Sequence, residues 1–170
     1  MTRSNSTSTA CAIVLGASGS VGQALLTELL KDRTFDPVIL INRRRLDVQG
    51  GGQGRVIEWL VPDMEPRTLQ QTVVRALQGV AQAAVGFSVL GVGAGTARLT
   101  LAGHRAIDVD LNAAFARGLK ESGRVRHLLF MSAVGANVHA RTTGSGAAGM
   151  PRYARVKGEA EQAVQAQGLA

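Results

Sequence analysis

The stretch Cys11-Ala-Ile-Val-Leu-Gly-Ala-Ser-Gly-Ser-Val-Gly-Gln-Ala-Leu-Leu26 decides the fold of this chain. An apolar run typical of a buried strand ends in three glycines spaced three apart, and an apolar helical pattern follows at once. Gly16 allows a tight turn, Gly19 allows the backbone to approach a pyrophosphate, and Gly22 allows the helix to pack on the strand. The stretch therefore predicts a dinucleotide-binding strand, turn and helix. The other turn residues expected at the cofactor are Ser18, Ser20 and Val21.

Two other interpretations of this turn can be weighed from the same residues. A mononucleotide P-loop has glycine five positions after its first glycine and lysine directly after that. Here Val21 and Gly22 stand at those positions, so a P-loop is excluded. A glycine-rich turn with no ligand remains the alternative.

The rest of the chain alternates between strand-like and helix-like segments. Strands are predicted at residues 37–41, 55–61, 83–90 and 126–131, and helices at residues 22–30, 66–77, 107–120 and 151–167. This alternation predicts an α/β fold of the Rossmann type, a doubly wound parallel sheet with helices on both faces. We expect about five strands in the order 3-2-1-4-5.

Length and composition predict one domain. The 170 residues are 45% hydrophobic and include 21 glycines, which fits an α/β protein with glycine loops. We expect residues 1–9 to be a disordered polar leader and residues 10–170 to form the NAD(P)-binding domain. The uncharged run at residues 76–97 is too rich in glycine to predict a membrane span. Cys11 is the only cysteine and predicts a core side chain in a reducing, cytoplasmic compartment, with a reactive thiol as the minor alternative.

The formal charge of +7 raises the question of nucleic-acid binding. The arginines are scattered, apart from Arg43-Arg44-Arg45, and no aromatic residues are interleaved with them, so we expect no nucleic-acid partner. The three histidines show no metal-ligand spacing, so no metal is predicted.

The end of the second strand indicates which dinucleotide is bound. Rossmann proteins that bind NAD usually have an acidic residue there for the ribose hydroxyls, whereas a 2′-phosphate requires a cation. Asn42 is followed by Arg43 and Arg44, whose guanidinium groups suit phosphate. These three residues predict NADP, and a solvated arginine turn is the alternative.

Two further strand ends carry candidate cofactor residues. Asp63 could bind the adenine amino group or cap the helix that begins near Pro66, and the residues favour neither role. Gly91 opens a glycine cluster at residues 91–95, where the backbone could approach the nicotinamide ribose. A surface loop is the alternative for this cluster.

The last strand and helix carry the catalytic candidates. Ser132 ends the strand on the ligand side of the sheet, and Tyr153 and Lys157 lie one helical turn apart on one face. An ammonium group stabilises a nearby phenolate, and a serine hydroxyl can bind the same substrate oxygen. The three residues together predict acid-base chemistry at a carbonyl, and an ordinary helix face is the alternative.

These motifs resemble the short-chain dehydrogenase/reductase superfamily, and more closely its atypical branch of NAD(P)-binding Rossmann proteins. The resemblance rests on the Gly16, Gly19 and Gly22 loop, on Ser132 and on Tyr153-x-x-x-Lys157. Within that branch, four segments resemble the Tat-interacting-protein-like oxidoreductases, with NmrA-like regulators more distant. The segments are Arg43-Arg44, Asp108-Val-Asp110, Leu128-Leu-Phe-Met-Ser-Ala133 and Tyr153-Ala-Arg-Val-Lys-Gly-Glu159.

The resemblance, which covers residues 10–167, implies hydride transfer between NADP and a carbonyl or alcohol substrate. It implies that Tyr153 is the proton donor, that Lys157 binds the nicotinamide ribose and stabilises the phenolate, and that Ser132 orients the substrate. Members of that branch continue beyond this helix into a substrate-binding portion, which we expect this chain to lack. A non-catalytic, redox-sensing NADP-binding module that acts through a protein partner is therefore the alternative function.

The last strand also predicts an interaction surface. Residues 126–131 would form an exposed sheet edge that is apolar on both faces, and such edges are normally short, charged or covered. We therefore expect self-association or a partner chain along this edge.

Overall fold

Five parallel strands form the sheet of this protein. Its structure is a computed structural model that describes residues 9–48, 54–93, 98–144 and 146–169. The strands are β1 (Ala10–Leu15), β2 (Phe35–Asn42), β3 (Val56–Leu60), β4 (Ala84–Ser88) and β5 (Val125–Phe130). Their order is β3-β2-β1-β4-β5, and all neighbouring pairs are parallel. The predicted fold class and strand order are confirmed.

Helices cover both faces of this sheet. They are α1 (Ser20–Lys31), α2 (Pro66–Gln78), α3 (Leu101–Arg105), α4 (Asn112–Ser122) and α5 (Pro151–Gln165). Because helices pack on both faces of the sheet, the side chains of the central strand β1 are buried on both faces: Ile13 belongs to the core cluster with α2 and α4, and Val14 to the cluster with α1. Alternate residues of one apolar strand thus supply two cores.

The helix predicted at residues 107–120 begins earlier in the structure than in the prediction. It begins at α3, where the Thr100 side chain accepts a hydrogen bond from the Gly103 amide, and continues through a π-helical turn at Ala106–Leu111 into α4. Gly103 interrupts the apolar pattern in the first turn, which is why the periodicity of the sequence misses it.

β5 is an edge of the sheet among the described strands. Leu128 and Phe130 are half-buried, whereas Leu129 is 53% exposed and Arg126 is exposed beside it. The edge position agrees with the expectation, and the partner chain along it stays a prediction.

Three other expectations can be compared with the structure. Residues 1–8 of the predicted leader lie outside the described residues. Cys11 is fully buried, and burial raises the pKa of its thiol to about 12, so it is a core side chain and not a reactive nucleophile. In the part of the chain that the structure describes, none of the helices has the length and apolar character needed to span a bilayer.

Candidate cofactor and active site

The glycine turn joins β1 to α1, and the structure separates the tasks of its three glycines. Gly16 has φ of 92°, and a Cβ there would lie 2.6 Å from the Leu90 nitrogen. A Cβ at Gly22 would lie 2.2 Å from the carbonyl oxygen of Gly16. The fold itself therefore requires these two glycines.

Gly19 differs from its neighbours. A Cβ there would meet only the Gly16 carbonyl oxygen, at an ordinary contact distance of 3.6 Å. Gly19 is also the N-cap residue of α1, and no side chain caps that helix. Free N–H groups and the positive end of the helix dipole therefore face an open cradle that suits a pyrophosphate. Ser18, Ser20 and Val21 are exposed around it.

A pocket of about 250 Å³ opens beside this turn at the carboxyl ends of β1 and β2. It lies next to the point where the strand order reverses direction, which is where open α/β sheets bind ligands. Four of the predicted cofactor residues line it together: Gly16, Ser18, Asn42 and Arg43. Apolar residues also line the pocket: Val92 belongs to the predicted glycine cluster, whereas sequence analysis missed Met64, Leu90 and Ile107.

The arginine turn, defined as Arg43 to Arg45, follows β2; Arg43 lines this pocket, whereas Arg44 and Arg45 do not. All three arginines are exposed, whereas Asn42 is buried and its amide donates to Glu58 Oε1 at 2.8 Å. Glu58 is an acid that sequence analysis missed, because it belongs to the neighbouring strand β3 and not to the end of β2.

Asp63 lies at the start of α2. Its carboxylate accepts hydrogen bonds from the Glu65 amide at 3.2 Å and from the Thr68 hydroxyl at 3.4 Å. These bonds close a turn before α2, whose N-cap residue is Glu65 and has no side-chain cap, so Asp63 is not the N-cap that the sequence allowed. Met64, with φ of 48°, is the residue of this segment that lines the pocket.

A buried ion pair lies beneath the glycine cluster that follows β4. Lys157 Nζ is 2.9 Å from Asp108 Oδ1, and these side chains are 2% and 0% exposed. The Val92 amide donates to Asp108 Oδ2 at 3.1 Å, and a Cβ on Gly91 would meet both charged groups at 3.1 to 3.2 Å. Gly91 thus allows the backbone to lie directly over the pair. Residues 94–95 of the predicted cluster lie outside the described residues.

Asp108 belongs to the π-helical turn, which brings its carboxylate to Lys157. A π-helical turn inserts an extra residue into a helix, and such turns are frequent at functional sites. The Asn112 side chain donates to the Asp108 carbonyl oxygen at 2.8 Å and accepts a hydrogen bond from the Ser88 hydroxyl. Because Ser88 ends β4, this bridge fixes the turn to the sheet. Neither Asn112 nor Ser88 carries a local sequence signal that would have identified it.

Tyr153 and Lys157 come together as predicted. Lys157 Nζ lies 6.0 Å from the centre of the Tyr153 ring, which is half-buried. The Tyr153 ring also packs against His104, with ring centres 5.8 Å apart. His104 is fully buried and its Nε2 lies 3.7 Å from Asp108 Oδ2, yet neither of its ring nitrogens has a hydrogen-bond partner.

The charge state of His104 follows from its surroundings. Burial lowers its pKa most, Asp108 opposes that effect, and Arg152 and Lys157 lower the pKa further. His104 is therefore neutral at pH 7, and the pair of Lys157 with Asp108 is the charged contact beside Tyr153.

Ser132 follows β5 and contacts α5 beyond Lys157. Its hydroxyl donates to Glu161, one turn beyond Lys157 on α5. The structure thus brings Tyr153 and Lys157 together but pairs Ser132 with an acid that the sequence did not single out.

Contacts in the middle of α5 hold this helix in position. Glu159 accepts hydrogen bonds from Arg105 of α3 at 2.6 and 2.7 Å and from Arg155 at 2.6 Å. These bonds lower the pKa of Glu159, and those from Arg105 have the largest effect. A Cβ on Gly158 would lie 2.5 Å from the Val138 nitrogen, so α5 packs directly on the preceding loop. Across the described ranges, no group of three or more His, Cys, Asp or Glu side chains could hold a metal ion.

Comparison with known proteins agrees with this geometry. The model of the NAD(P)H-binding family matches residues 16–170. No curated protein sequence matches the chain. Among solved structures, the chain is similar to MoeE5 in complex with UDP-glucose and NAD, with 17% identity and a TM-score of 0.65 over 94% of this chain and 50% of that one.

Two further structures show the same fold. WbmG of Bordetella bronchiseptica in complex with NAD has 14% identity and a TM-score of 0.68, over 98% of this chain and 52% of that one. A nucleoside-diphosphate-sugar epimerase of Agrobacterium tumefaciens has 17% identity and a TM-score of 0.69, over 94% and 49%. The chain spans about half the length of these proteins. The match over residues 16–170, on a Rossmann sheet with an open glycine turn, shows that the chain belongs to the NAD(P)H-binding family.

Proposed function

We propose that this protein is an NADP-dependent oxidoreductase of the short-chain dehydrogenase/reductase type, acting on a carbonyl or alcohol substrate. The observation that carries the proposal is the buried Lys157 ammonium, held by Asp108 and lying 6.0 Å from the Tyr153 ring centre. A charged lysine beside a phenol and beneath a glycine loop suits proton transfer at a cofactor. The segments Arg43-Arg44 and Tyr153 to Glu159 favour the Tat-interacting-protein-like branch of the family.

The residues of the turn and pocket suit a nicotinamide dinucleotide. Gly19 and the uncapped N-terminus of α1 would hold the pyrophosphate. Arg43, which lines the pocket, and the exposed Arg44 next to it would bind a 2′-phosphate, and this favours NADP even though MoeE5 and WbmG are described as complexes with NAD. The bound cofactor would supply or accept the hydride.

The remaining chemistry belongs to the protein. Tyr153 would donate a proton to the carbonyl oxygen during reduction and take it back during alcohol oxidation. Lys157 would stabilise the phenolate that remains, because an ammonium close to a phenolate favours the charged form. Asp108 holds that ammonium in place, with Oδ1 2.9 Å from Nζ. The single cysteine favours a reducing compartment such as the cytoplasm.

One observation favours a second function, a non-catalytic NADP-binding module that senses redox state through a protein partner. The Ser132 hydroxyl donates to Glu161 and would reach a substrate at Tyr153 only by leaving that carboxylate. NADPH binding without turnover of any carbonyl compound would favour this module over the enzyme.

Cofactor titration tests the proposal. NADPH and NADH are titrated by fluorescence against the wild type, the Arg43→Ala/Arg44→Ala variant and an Arg33→Ala control. Arg33 is an exposed arginine before β2, at the opposite end of that strand from the arginine turn. We expect NADPH to bind more tightly than NADH, and the double variant to lose at least about tenfold in NADPH affinity, since charge-assisted contacts of this kind contribute about 1.5 to 3 kcal/mol each.

The control should behave as the wild type. Equal affinity of the wild type for both cofactors, or equal effects of Arg33→Ala and the double variant, would contradict the assignment of NADP.

A further inference from the structure

The residues at both ends of the arginine turn donate hydrogen bonds to one oxygen atom. Glu58 Oε1 accepts the side-chain amide of Asn42, directly before the turn, at 2.8 Å. It also accepts the backbone amide of Leu46, directly after the turn, at 2.8 Å. The three arginines between these residues are exposed.

The register of the sheet explains why Glu58 can do this. β2 and β3 run parallel, with Leu40 opposite Glu58 and Asn42 opposite Leu60. Successive side chains of a strand alternate between faces, so Asn42 and Glu58 lie on the same face of the sheet. Leu46 packs against the apolar cluster on that face, so the chain leaving β2 crosses over Glu58.

The contacts have a clear consequence for the arginines. Hydrogen bonds from amides to a carboxylate are stronger than those between neutral groups. Two such bonds on one oxygen fix the backbone from which Arg43 and Arg44 extend. A ligand contact made from a fixed backbone loses less conformational freedom on binding, and its affinity is correspondingly higher.

We propose that Glu58 is a positioning residue that fixes the arginine turn and thereby sets the preference for a 2′-phosphorylated dinucleotide. The proposal rests on the proposed function, since it presumes that Arg43 and Arg44 bind the 2′-phosphate. An acid near this ribose would ordinarily indicate NAD, but here Oε1 of the acid accepts two N–H groups of the protein itself. Glu58 thus acts on the cofactor through the arginines.

The sign of one substitution separates this role from simple electrostatics. Removal of an acid near a phosphate site should strengthen NADPH binding if only charge matters. If Glu58 fixes the arginine turn, Glu58→Ala should instead weaken NADPH binding about five- to tenfold and change NADH binding less than twofold. Glu58→Gln retains an acceptor oxygen and should keep most of the NADPH preference.

Three further variants complete the experiment. Glu58→Asp keeps the charge, but its side chain is one methylene too short to reach both donors. It should therefore lose the preference for NADPH over NADH as Glu58→Ala does, and it replaces Glu58→Ala in the test if that variant fails to fold. Glu65→Ala removes an exposed acid at the start of α2 and controls for net charge. In the Arg43→Ala/Arg44→Ala background, Glu58→Ala should have no further effect on NADPH affinity.

The outcomes distinguish this inference from the proposed function. If the wild type prefers NADPH but Glu58→Ala and Glu58→Asp bind NADPH as tightly or more tightly, only the role of Glu58 is overturned. Equal losses of NADPH and NADH affinity in these variants overturn it as well. If the wild type shows no preference for NADPH, both proposals fail.

Discussion

The Lys157 ammonium and the Asp108 carboxylate lie 2.9 Å apart in almost complete isolation from water. They come from α5 and from the π-helical turn, and Asp108 also accepts the Val92 amide of the loop after β4. One carboxylate therefore joins three segments around the proposed hydride-transfer end of the site. An ion pair this deeply buried has lost the hydration of both charges, so its two partners depend on each other.

This dependence predicts a large effect of Asp108→Asn. The asparagine can still accept the Val92 amide, but the buried ammonium loses its counter-ion. Breaking a buried pair in this way costs about 3 to 5 kcal/mol of unfolding free energy. Asp110→Asn, two residues along and exposed, is the matched control and should change stability by less than about 0.5 kcal/mol. Urea denaturation measures both.

A second substitution checks the cause. The double variant Asp108→Leu/Lys157→Met removes both charges and should recover most of the stability, because apolar side chains of similar volume can replace a buried pair at little cost. A loss below about 1 kcal/mol for Asp108→Asn would show that the pair is not isolated from water.

The glycine turn supplies a prediction with an internal control. Gly19→Ala should fold with near wild-type stability, because its Cβ meets only one atom, at 3.6 Å, but it should lose NADPH binding because that Cβ occupies the pyrophosphate cradle. Gly22→Ala should be strongly destabilised, because its Cβ would overlap the Gly16 carbonyl oxygen at 2.2 Å. Thermal unfolding and fluorescence titration on the same samples separate the effects. Normal NADPH binding by Gly19→Ala would make the turn purely structural.

The sequence predicts what depends on local pattern. Apolar runs and glycine spacing identified the five strands and their order, and helical spacing placed Tyr153 beside Lys157. The strands and the pairing of Tyr153 with Lys157 follow from residues that are neighbours in the chain or lie one helical turn apart, and the strand order follows from the doubly wound fold that these patterns indicate.

Contacts set by tertiary register could not be predicted in the same way. Asp108 reaches Lys157 through a π-helical turn that no residue pattern announces, and Glu58 reaches Asn42 because of the alignment of two strands. The partner of Ser132 depends on where the end of β5 meets α5, so its bond to Glu161 could not be inferred from the spacing.

His104 predicts a pH dependence of stability. Burial lowers the pKa of His104 from the ordinary value of 6.5, and repulsion from Arg152 and Lys157 lowers it further. Attraction to Asp108 opposes these effects. The Tyr153 ring packs on the imidazole. Below pH 6.5 the unfolded chain binds a proton at this residue that the folded chain does not, so stability is complete above pH 6.5 and falls as the pH is lowered.

We expect this residue to cost the wild type up to about 1.4 kcal/mol of unfolding free energy between pH 7.5 and 5.5. His104→Phe keeps an aromatic ring against Tyr153 but has no titrating group, so its stability should change less over the same interval. His127 and His139 remain in both proteins and cancel in the comparison. Identical pH profiles of urea denaturation would show that His104 does not stay neutral in the folded chain.

The catalytic roles of Tyr153 and Ser132 should differ in size. Tyr153→Phe keeps the ring that packs on His104 but removes the proton donor, so kcat for NADPH-dependent reduction should fall about 10²- to 10⁴-fold with unchanged NADPH affinity. Ser132→Ala should lower kcat less than about tenfold, because the hydroxyl is bonded to Glu161 and not directed to Tyr153. NADPH oxidation across a panel of aldehydes and ketones measures both, with cofactor titration as the control.

If Ser132→Ala is as inactive as Tyr153→Phe, the serine leaves Glu161 during the reaction and is an equal partner in the chemistry. If the wild type binds NADPH and oxidises it with none of the carbonyl compounds, the redox-sensing module is favoured instead.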